Sequence, residues 1–289
     1  MNDLGLGEKG AMDSQMQDVW NIQIILAKKL IEVCNKYKLK IWADSGTLIG
    51  TIREHGYIPW DDDIDMIMFR EDYEKLLSIA PSEFKNPFFF QNWYSDVKYP
   101  RGHSQLRYCG TSAVLKEEVK LPFNQGIFID IFVYDTVPQN SADIKAFVEK
   151  IEKKRMFIRK LAYSELSSKH LKFSFYWFLY KILPYKYICR SFENLIQKYN
   201  NTSSERIYFL GLTTKKLETR YLKKEWYSET LWLPFEDMLM PVPSGYDSLL
   251  REEYGDYMTP VEQSTMHGDV YLDAYRDYKT VIAEILQKR

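Results

Sequence analysis

The sequence has few cysteines and few histidines, and neither residue type forms a cluster. Its three cysteines, Cys34, Cys109 and Cys189, lie far apart along the chain, and there are only four histidines. Structural zinc sites use closely spaced Cys or Cys/His pairs, so this pattern gives no support for such a site. A sparse, odd set of cysteines is also unlike a disulfide framework and is typical of a reducing compartment.

Two other features are missing: a long apolar run and an excess of one charge sign. No stretch of about 18 uncharged apolar residues is present, which argues against a membrane-spanning helix. The N-terminus, MNDLGLGEKGAMDSQMQ, lacks the basic and apolar regions of a signal peptide. With 39 basic and 40 acidic residues, the chain has no charge excess that would attract nucleic acid. We therefore expect a cytoplasmic protein that binds no nucleic acid.

The order of apolar patterns divides the chain into three regions. Residues 1–13 are polar and glycine-rich and are predicted to form a flexible tail. Residues 14–138 begin with a helix capped by Ser14 and then alternate short strands and helices, which predicts an α+β catalytic core. Residues 139–289 are mostly helical with a mixed closing segment, and we expect them to complete the substrate cleft.

Within the predicted core, LKIWAD and IDMIMF are typical of strands. SGTLIGTIREHG between them predicts a turn and a short helix that ends at Gly56, and REDYEKLLSIA predicts a helix ended by Pro81. A β-rich stretch follows, with the segments PFFFQNWY, HSQLRYC, TSAVLKE and GIFIDIFVYD.

The most unusual segment is GYIPWDDDIDMIMF, in which Asp61, Asp62, Asp63 and Asp65 fall within five positions. Adjacent carboxylates repel one another and are costly to bury. Asp63 and Asp65 are two residues apart, so on a strand they point to one face, roughly 6–7 Å apart. A hard divalent cation would offset their repulsion, which predicts a Mg²⁺ (or Mn²⁺) site. The alternative is a solvated loop that caps a helix.

A third acid is available in GIFIDIFVYD, where Asp130 is flanked by apolar residues. A lone acid inside an apolar strand is costly unless it is paired or bound to metal, so Asp130 is predicted to complete the site. The neighbours of the first two acids, Ile64, Met66 and Met68, are expected to face the core. Asp135, at the end of the run, is interpreted as a turn residue.

The turn DSGTLIG lies between a predicted strand and a helix N-terminus, where backbone N–H groups are available to bind phosphate. We therefore predict that Ser45, Gly46 and Thr47 bind substrate phosphate, with an ordinary helix cap as the alternative for Thr47. Arg53, further along the short helix, could bind phosphate through its two-pronged guanidinium. The alternative for Arg53 is a surface residue.

Five other residues complete the predicted substrate site. Arg101 and Arg107, in RGHSQLRYCGT, are candidates for binding the charge of a diphosphate. Trp60 could stack on a base or enclose a quaternary ammonium group, although core packing is the commoner fate of an aromatic residue. Of Asp61 and Asp62, one is predicted to orient Arg53 or the loop and the other to be exposed.

These motifs together resemble the LicD family of phosphotransferases, which is related to the fukutin-type enzymes. The resemblance is densest in WADSGTLIGTIREHGYIPWDDDIDMIMFREDYEKLL, residues 42–77, and continues in GIFIDIF and PVPSGYDSLLREEYGDYM. It implies a nucleotidyltransferase-like fold, with a mixed β-sheet flanked by helices. In that superfamily a Gly/Ser turn precedes a DxD strand and a third acid lies on a neighbouring strand. Here these are Ser45–Gly46, Asp63 with Asp65, and Asp130.

The resemblance also implies an activity. Family members transfer a phospho-alcohol, typically phosphocholine, from a CDP-linked donor to a sugar hydroxyl and release CMP. The expected acceptor is a cell-surface polysaccharide or teichoic-acid precursor, which can be lipid-linked. Asp130 would then either bind the metal or take the proton of the acceptor. Two alternatives stay open: a nucleotidyltransferase that releases pyrophosphate, and a non-catalytic binding protein that keeps the fold.

The segment KFSFYWFLYKILPYKYICR, Lys172 to Arg190, is apolar on more than one helical face and is interrupted by basic residues. It is too interrupted to span a bilayer. The favoured interpretation is a core helix. The alternative is an interfacial helix whose aromatic residues enter lipid headgroups, which predicts peripheral contact with the inner membrane face.

Overall fold

The computed structural model describes residues 9–96, 98–164, 171–211, 214, 217, 219–261 and 270–287. Eight helices and eleven strands occur in these residues, together with short 3₁₀ turns at Gln197–Tyr199 and Lys224–Tyr227. The helices are α1 (Lys9–Lys36), α2 (Ser45–Arg53), α3 (Arg70–Glu83), α4 (Ser141–Ala162), α5 (Leu171–Ile182), α6 (Tyr185–Ile196), α7 (Tyr246–Tyr254) and α8 (Tyr278–Gln287). The strands are β1 (Trp42–Ala43), β2 (Asp65–Phe69), β3 (Phe88–Gln91), β4 (Ser104–Tyr108), β5 (Ser112–Leu115), β6 (Ile127–Thr136), β7 (Arg206–Phe209), β8 (Leu222–Lys223), β9 (Thr230–Phe235), β10 (Met238–Pro243) and β11 (Val270–Asp273).

A seven-stranded mixed sheet forms the centre of the protein. Its strands follow the order β1-β2-β6-β4-β3, and β7 and β8 extend it beyond the end of β6. The pair β2–β6 is parallel, whereas the other pairs are antiparallel. Two smaller antiparallel pairs, β9–β10 and β5–β11, complete the β-structure. The predicted mixed sheet flanked by helices is therefore confirmed.

The C-terminal region pairs with strands of the predicted core, in the central sheet through β7 and in a separate two-stranded sheet through β11. β7 pairs with the end of β6, and β11 pairs with β5 along its whole length. The predicted boundary at residue 138 thus falls between two parts of the chain whose strands pair with each other. The described part of the region is helical through α6 and mixed after it.

Three predicted element ends differ from the structure. α1 begins at Lys9 rather than at Ser14, so residues 9–13 are helical, and residues 1–8 of the predicted tail lie outside the described residues. α3 continues through Pro81 to Glu83. A proline so close to the helix end removes a single backbone hydrogen bond, and its fixed φ is compatible with the helix. β1 is limited to Trp42–Ala43 within the longer predicted strand.

The two faces of the sheet have different roles. Ile64, Met66 and Met68 are fully buried, which confirms their predicted core orientation. Helix α3 packs on this same face, since the Tyr73 hydroxyl lies 2.7 Å from the Ser104 hydroxyl of β4. Because side chains alternate along a strand, Asp65 points to the opposite face. Asp65 and its register partner Asp130 are therefore kept apart from the α3 layer.

Asp135 has a structural role that the sequence interpretation missed. It lies within β6 and is buried, rather than in a turn. Arg70 donates two hydrogen bonds to its carboxylate, at 2.9 and 2.7 Å, and Asn200 donates a third at 2.7 Å. This buried pair joins the start of α3 to β6, and its hydrogen bonds offset the cost of burying the two charges.

Among residues 9–96, 98–164, 171–211, 219–261 and 270–287, no helix combines the length and the apolar character needed to cross a membrane.

Candidate active site

Parallel pairing of β2 with β6 brings the separate acids of the sequence together. Asp65 and Asp130 are directly opposite each other in the strand register, so their side chains share one face. Asp63 lies two residues before Asp65 and reaches the same place. Carboxylate oxygens of these three residues all lie within 4.8 Å of one another, close enough to share one metal ion.

The loop that precedes β2 forms a second acidic group. Carboxylate oxygens of Asp61, Asp62 and Asp63 also lie within 4.8 Å of one another, so Asp63 belongs to both groups. The first group includes a buried residue, Asp130, whereas all three members of the second are partly exposed. The burial and the strand framework make the Asp63–Asp65–Asp130 group the better candidate for a fixed metal site.

Electrostatic crowding at this group is strong. Burial raises the pKa of Asp65 well above its ordinary value, and the negative charges of Asp63, Asp130, Asp44 and Asp61 raise it further. The ionised carboxylates are therefore costly in the absence of a counter-charge. A divalent cation bound by oxygen ligands supplies that counter-charge, and this all-carboxylate donor set fits Mg²⁺ or Mn²⁺.

The third acid is held by a buried polar chain. The Gln105 side-chain amide donates to Asp130 Oδ1 at 2.7 Å, and Arg107 donates to the carbonyl oxygen of the same amide. His103 Nε2 lies 3.2 Å from Asp130 Oδ1. Because Arg107 binds the amide oxygen of Gln105, the amide nitrogen must face Asp130. This arrangement fixes the orientation of the carboxylate, which is a requirement for a preorganised site.

Ser45, Gly46 and Thr47, predicted as a turn before a helix, form the first turn of α2, and this turn contacts the acids. A Cβ atom on Gly46 would lie 2.4 Å from Asp61 Oδ2, so the absence of a side chain allows the Asp61 carboxylate to approach the helix N-terminus. The hydroxyl of Thr47 accepts a hydrogen bond from the Asp65 backbone N–H at 2.8 Å. Ser45 adopts a positive φ of 48°. The turn is thus joined to the acidic loop and to the start of β2.

Helix α1 holds the acidic loop from the outside, a role with no clear signal in the sequence. The Trp20 indole donates to the Asp61 carbonyl at 3.1 Å, and the Gln23 amide donates to the Asp62 carbonyl at 2.7 Å. Trp20 also stacks on Tyr57, with ring centroids 4.5 Å apart. These contacts fix the backbone of the loop, so its carboxylates cannot move apart freely to relieve their repulsion.

Two further residues reach the turn and were not predicted. Asp44 is buried, accepts a hydrogen bond from the Tyr134 hydroxyl at 2.9 Å, and has a pKa that burial raises to about 6. Tyr254, at the end of α7, has a pKa raised by burial of its hydroxyl and by the nearby charges of Glu253, Asp44 and Asp65. Asp44 is the first residue of the predicted turn DSGTLIG, and Tyr254 lies in PVPSGYDSLLREEYGDYM, so both residues belong to motifs that carry the family resemblance.

Arg53 binds other parts of the protein. It is the last residue of α2, at the opposite end of the helix from Ser45. Its guanidinium donates to the Tyr257 carbonyl at 2.7 Å and to the Glu54 carboxylate at 2.6 Å, and its side chain is only 10% exposed. The structure therefore gives it a role in joining α2 to the segment after α7, and it is neither grouped with the acids nor a free surface residue.

Trp60, Arg101 and Arg107, which were also predicted to bind substrate, lie in different surroundings. Trp60 is half-buried and packs against the main core. Arg101 is paired with Glu118 at 2.8 Å, with both side chains largely buried. Arg107 is 1% exposed, and its guanidinium donates to the Gly126 carbonyl and to the side chains of Gln91 and Gln105. The structure brings neither arginine to the surface of the acidic site.

Replacing Arg107 with Lys tests this structural role. Burial lowers the pKa of Arg107 to about 10, with a further contribution from the charge of Arg101, so the site already disfavours a cation. Lysine keeps the charge but cannot reach the three acceptors at once. We expect the free energy of unfolding to fall by about 3 kcal/mol in urea titrations, with an unchanged KM for the phosphate donor. The control is Arg251→Lys at an exposed pair. Normal stability with a tenfold higher donor KM would contradict this assignment.

A cleft of about 900 Å³ lies at the edge of the sheet beside β3, away from the acids. It is bordered by α3 and α6 and contains aromatic side chains of β3. None of Asp63, Asp65 and Asp130 lines it. Its position on the α3 side of the sheet separates it from the acidic face.

Comparisons with known proteins show which sequences this chain resembles. Residues 38–173 match the family model described as LicD/FKTN/FKRP, nucleotidyltransferase domain. The chain is 27% identical to the lipopolysaccharide cholinephosphotransferase LicD of Haemophilus influenzae over 245 residues, which cover 81% of this chain and 89% of the relative. It is 31% identical over 115 residues to an uncharacterized protein of Rickettsia prowazekii, covering 40% of each chain. An uncharacterized protein of Rickettsia typhi is 42% identical over 56 residues, 19% of this chain and 18% of the relative. The resemblance seen in the sequence motifs is confirmed.

Proposed function

We propose, from the premise that residues 38–173 form a LicD-family nucleotidyltransferase domain, that this protein is a metal-dependent phosphotransferase. It moves a phospho-alcohol, with phosphocholine the first candidate, from a CDP-linked donor to a sugar hydroxyl of a surface glycan, and CMP is released. The observation that carries this proposal is the grouping of Asp63, Asp65 and Asp130, with carboxylate oxygens within 4.8 Å of one another, on one face of the sheet.

The choice of phosphocholine rests on a relative. The Haemophilus influenzae protein that this chain resembles over most of its length is named a lipopolysaccharide cholinephosphotransferase. The corresponding acceptor here would be a sugar hydroxyl of a lipopolysaccharide or another surface polysaccharide. Trp60, half-buried beside the acidic loop, is the aromatic residue best placed in sequence to contact a base or a quaternary ammonium.

The reaction is a substitution at the phosphorus of phosphocholine. The acceptor oxygen forms a bond to this phosphorus, and the bond to the bridging oxygen breaks as CMP leaves. The acceptor proton passes to a carboxylate of the Asp63–Asp65–Asp130 group and then to water. The atoms and charges therefore balance without any further reactant.

The residues of the chain have separate tasks in this proposal. Asp63, Asp65 and Asp130 would hold the cation, and when bound it would neutralise the charge that develops on the phosphates. Gln105 keeps the Asp130 carboxylate in one orientation through its 2.7 Å hydrogen bond. Thr47 holds the start of β2 through the Asp65 N–H. Such fixed geometry favours an in-line approach of acceptor and donor.

A second activity is chemically close and is favoured by the family description of a nucleotidyltransferase domain. The same acids would serve an enzyme that joins a nucleoside monophosphate to a small alcohol or a sugar and releases pyrophosphate. The two activities differ in their products, so product analysis distinguishes them directly.

The deciding experiment is to incubate the purified protein and a glycan acceptor with Mg²⁺ and a panel of CDP-alcohols, and separately with nucleoside triphosphates. Chromatography measures CMP, and a coupled assay measures pyrophosphate. Acceptor-dependent CMP release from CDP-choline supports the phosphotransferase. Pyrophosphate release from CTP would replace it with the nucleotidyltransferase. Neither product from any donor, in a protein that is folded and binds metal, would support the non-catalytic alternative.

A further inference from the structure

Helix α5 has two apolar faces, and only one of them packs against the protein. Tyr176 and Leu179 are partly buried against the main core, and Tyr176 meets Phe157 of α4 edge to face at 6.3 Å. On the other face, Phe175, Phe178 and Ile182 are 58, 55 and 59% exposed. Their spacing of three and four residues places them in one stripe. The core interpretation of this segment therefore holds for one face and is wrong for the other.

The next helix shows what an ordinary surface helix of this protein looks like. In α6, Tyr185, Cys189, Phe192 and Ile196 are buried and the outward positions include basic side chains. In α5 the outward positions are large apolar groups. Isolated exposed apolar side chains are normal on a protein surface, but a continuous stripe of them marks a binding surface.

The sequence segment that carries this stripe has charges of one sign only. Residues 171–190 contain four basic residues and no acidic residue, although the whole chain has 39 basic and 40 acidic residues. Lys181 lies over the ring of Trp177 at 5.4 Å, and Trp177 is itself 42% exposed. Lys186 and Tyr187 follow at the start of α6, and Tyr187 is 72% exposed. Aromatic side chains next to basic ones are typical of helices that lie in the headgroup layer of a membrane.

We propose that the exposed face of α5 together with the start of α6 binds the surface of an anionic lipid bilayer; this surface is defined by Phe175, Trp177, Phe178, Lys181, Ile182, Lys186 and Tyr187. The apolar stripe enters the boundary between headgroups and acyl chains, and the basic residues meet the acidic headgroups. Charge argues for this occupant over a second copy of the chain. In a symmetric dimer through this surface, the basic residues of both copies would face one another.

This inference is independent of the proposed reaction, because it depends on the surface chemistry of α5 and not on the acids. It predicts that the intact protein floats with vesicles of phosphatidylglycerol and phosphatidylcholine at low ionic strength. Binding should weaken in high salt and be much weaker with phosphatidylcholine alone, because the basic residues contribute to affinity only on an anionic surface.

Two variants test the surface without disturbing the core. Phe175→Ser, Phe178→Ser and Ile182→Ser together remove the exposed stripe, and we expect the bound fraction at limiting lipid to fall at least about tenfold. Lys181→Glu with Lys186→Glu reverses two exposed charges, and we expect a similar fall confined to anionic vesicles. The matched control is Leu239→Ser with Tyr275→Ser, which changes side chains that are 56 and 78% exposed elsewhere. The control should float like the wild type.

Circular dichroism and the melting temperature show whether each variant is folded. If the triple Ser variant does not fold, vesicle binding of the charge-reversal variant tests the proposal. The inference is overturned if the wild type fails to float on anionic vesicles, or if a folded variant of this surface floats as well as the wild type. Light scattering tests whether the protein dimerises through this surface. If the wild type is a dimer that does not bind vesicles and the triple variant is a monomer, the surface is assigned to self-association instead.

Discussion

Replacing Asp65 with Asn is expected to reduce phosphocholine transfer at least about 100-fold at saturating Mg²⁺ while the protein remains folded. The change removes one of three charges that would hold the cation, at nearly constant side-chain volume. Asp65 is opposite Asp130 in the strand register and within reach of Asp63, so no neighbouring side chain is equivalent to it. CMP release at varied donor and Mg²⁺ concentrations measures the effect.

Asp72→Asn is the matched control, because Asp72 is a partly buried carboxylate on α3, on the other side of the sheet. It should keep turnover within about twofold of the wild type, as is usual for a change outside the reacting centre. Near-normal turnover of Asp65→Asn would remove Asp65 from the metal site, whatever the metal content of the protein.

Asp65→Asn is also expected to change how the free energy of unfolding depends on pH in metal-free buffer. Burial and neighbouring charges raise the pKa of Asp65 in the folded protein above its unfolded value. The folded state therefore binds the proton more tightly, and stability decreases as the pH rises from about 4 through the folded pKa. Asn carries no charge at any pH, so the variant should lose less stability over this range. Urea unfolding from pH 4 to 8 would show the difference as diverging curves.

Removing the metal is expected to have an effect of similar size. Dialysis against EDTA should lower transfer at least about 100-fold, and added Mg²⁺ or Mn²⁺ should restore it, because the candidate ligands are carboxylate oxygens. Binding to the folded state alone also stabilises it, by about 2.7 kcal/mol at a metal concentration 100 times Kd. Mg²⁺ should therefore raise the melting temperature of the metal-free wild type.

Asp63→Asn and Asp130→Asn serve as controls for this stabilisation, since each removes one proposed ligand. Their melting temperatures should respond much less to Mg²⁺ than that of the wild type or of Asp72→Asn. Full activity in EDTA would exclude the metal-dependent mechanism. An equal Mg²⁺ response in all variants would place the bound cation elsewhere on the protein.

The residues of the candidate site could be chosen from the sequence because they break local rules. Asp63 and Asp65 sit at the start of an apolar strand, and Asp130 interrupts another, which is costly without a partner. The two-residue period of a strand was enough to place Asp63 and Asp65 on one face and to direct Ile64, Met66 and Met68 to the core. Family motifs pointed to the same acids independently.

The sequence alone could not distinguish polar residues that share a motif but differ in their surroundings. Arg107 and Arg101 looked like phosphate ligands, yet both are buried in pairs or networks of protein groups. Asp135 looked like a turn residue and is the buried partner of Arg70. Asp44 lies within a family motif that gave it no separate role, although it is buried directly before α2. The surroundings of each of these residues depend on which side chains from distant parts of the sequence pack against it.

The sequence by itself determined which segments form strands and helices around the site, and which acids are out of place in them, because periodicity and local cost are properties of neighbouring residues. Only the tertiary structure decided that β2 runs parallel to β6 with Asp65 opposite Asp130, and that Gln105 and Arg107 fix the third carboxylate. It also decided that one apolar face of α5 is buried and the other exposed. Strand register and the choice of buried face are set by long-range packing, and no local pattern contains that information.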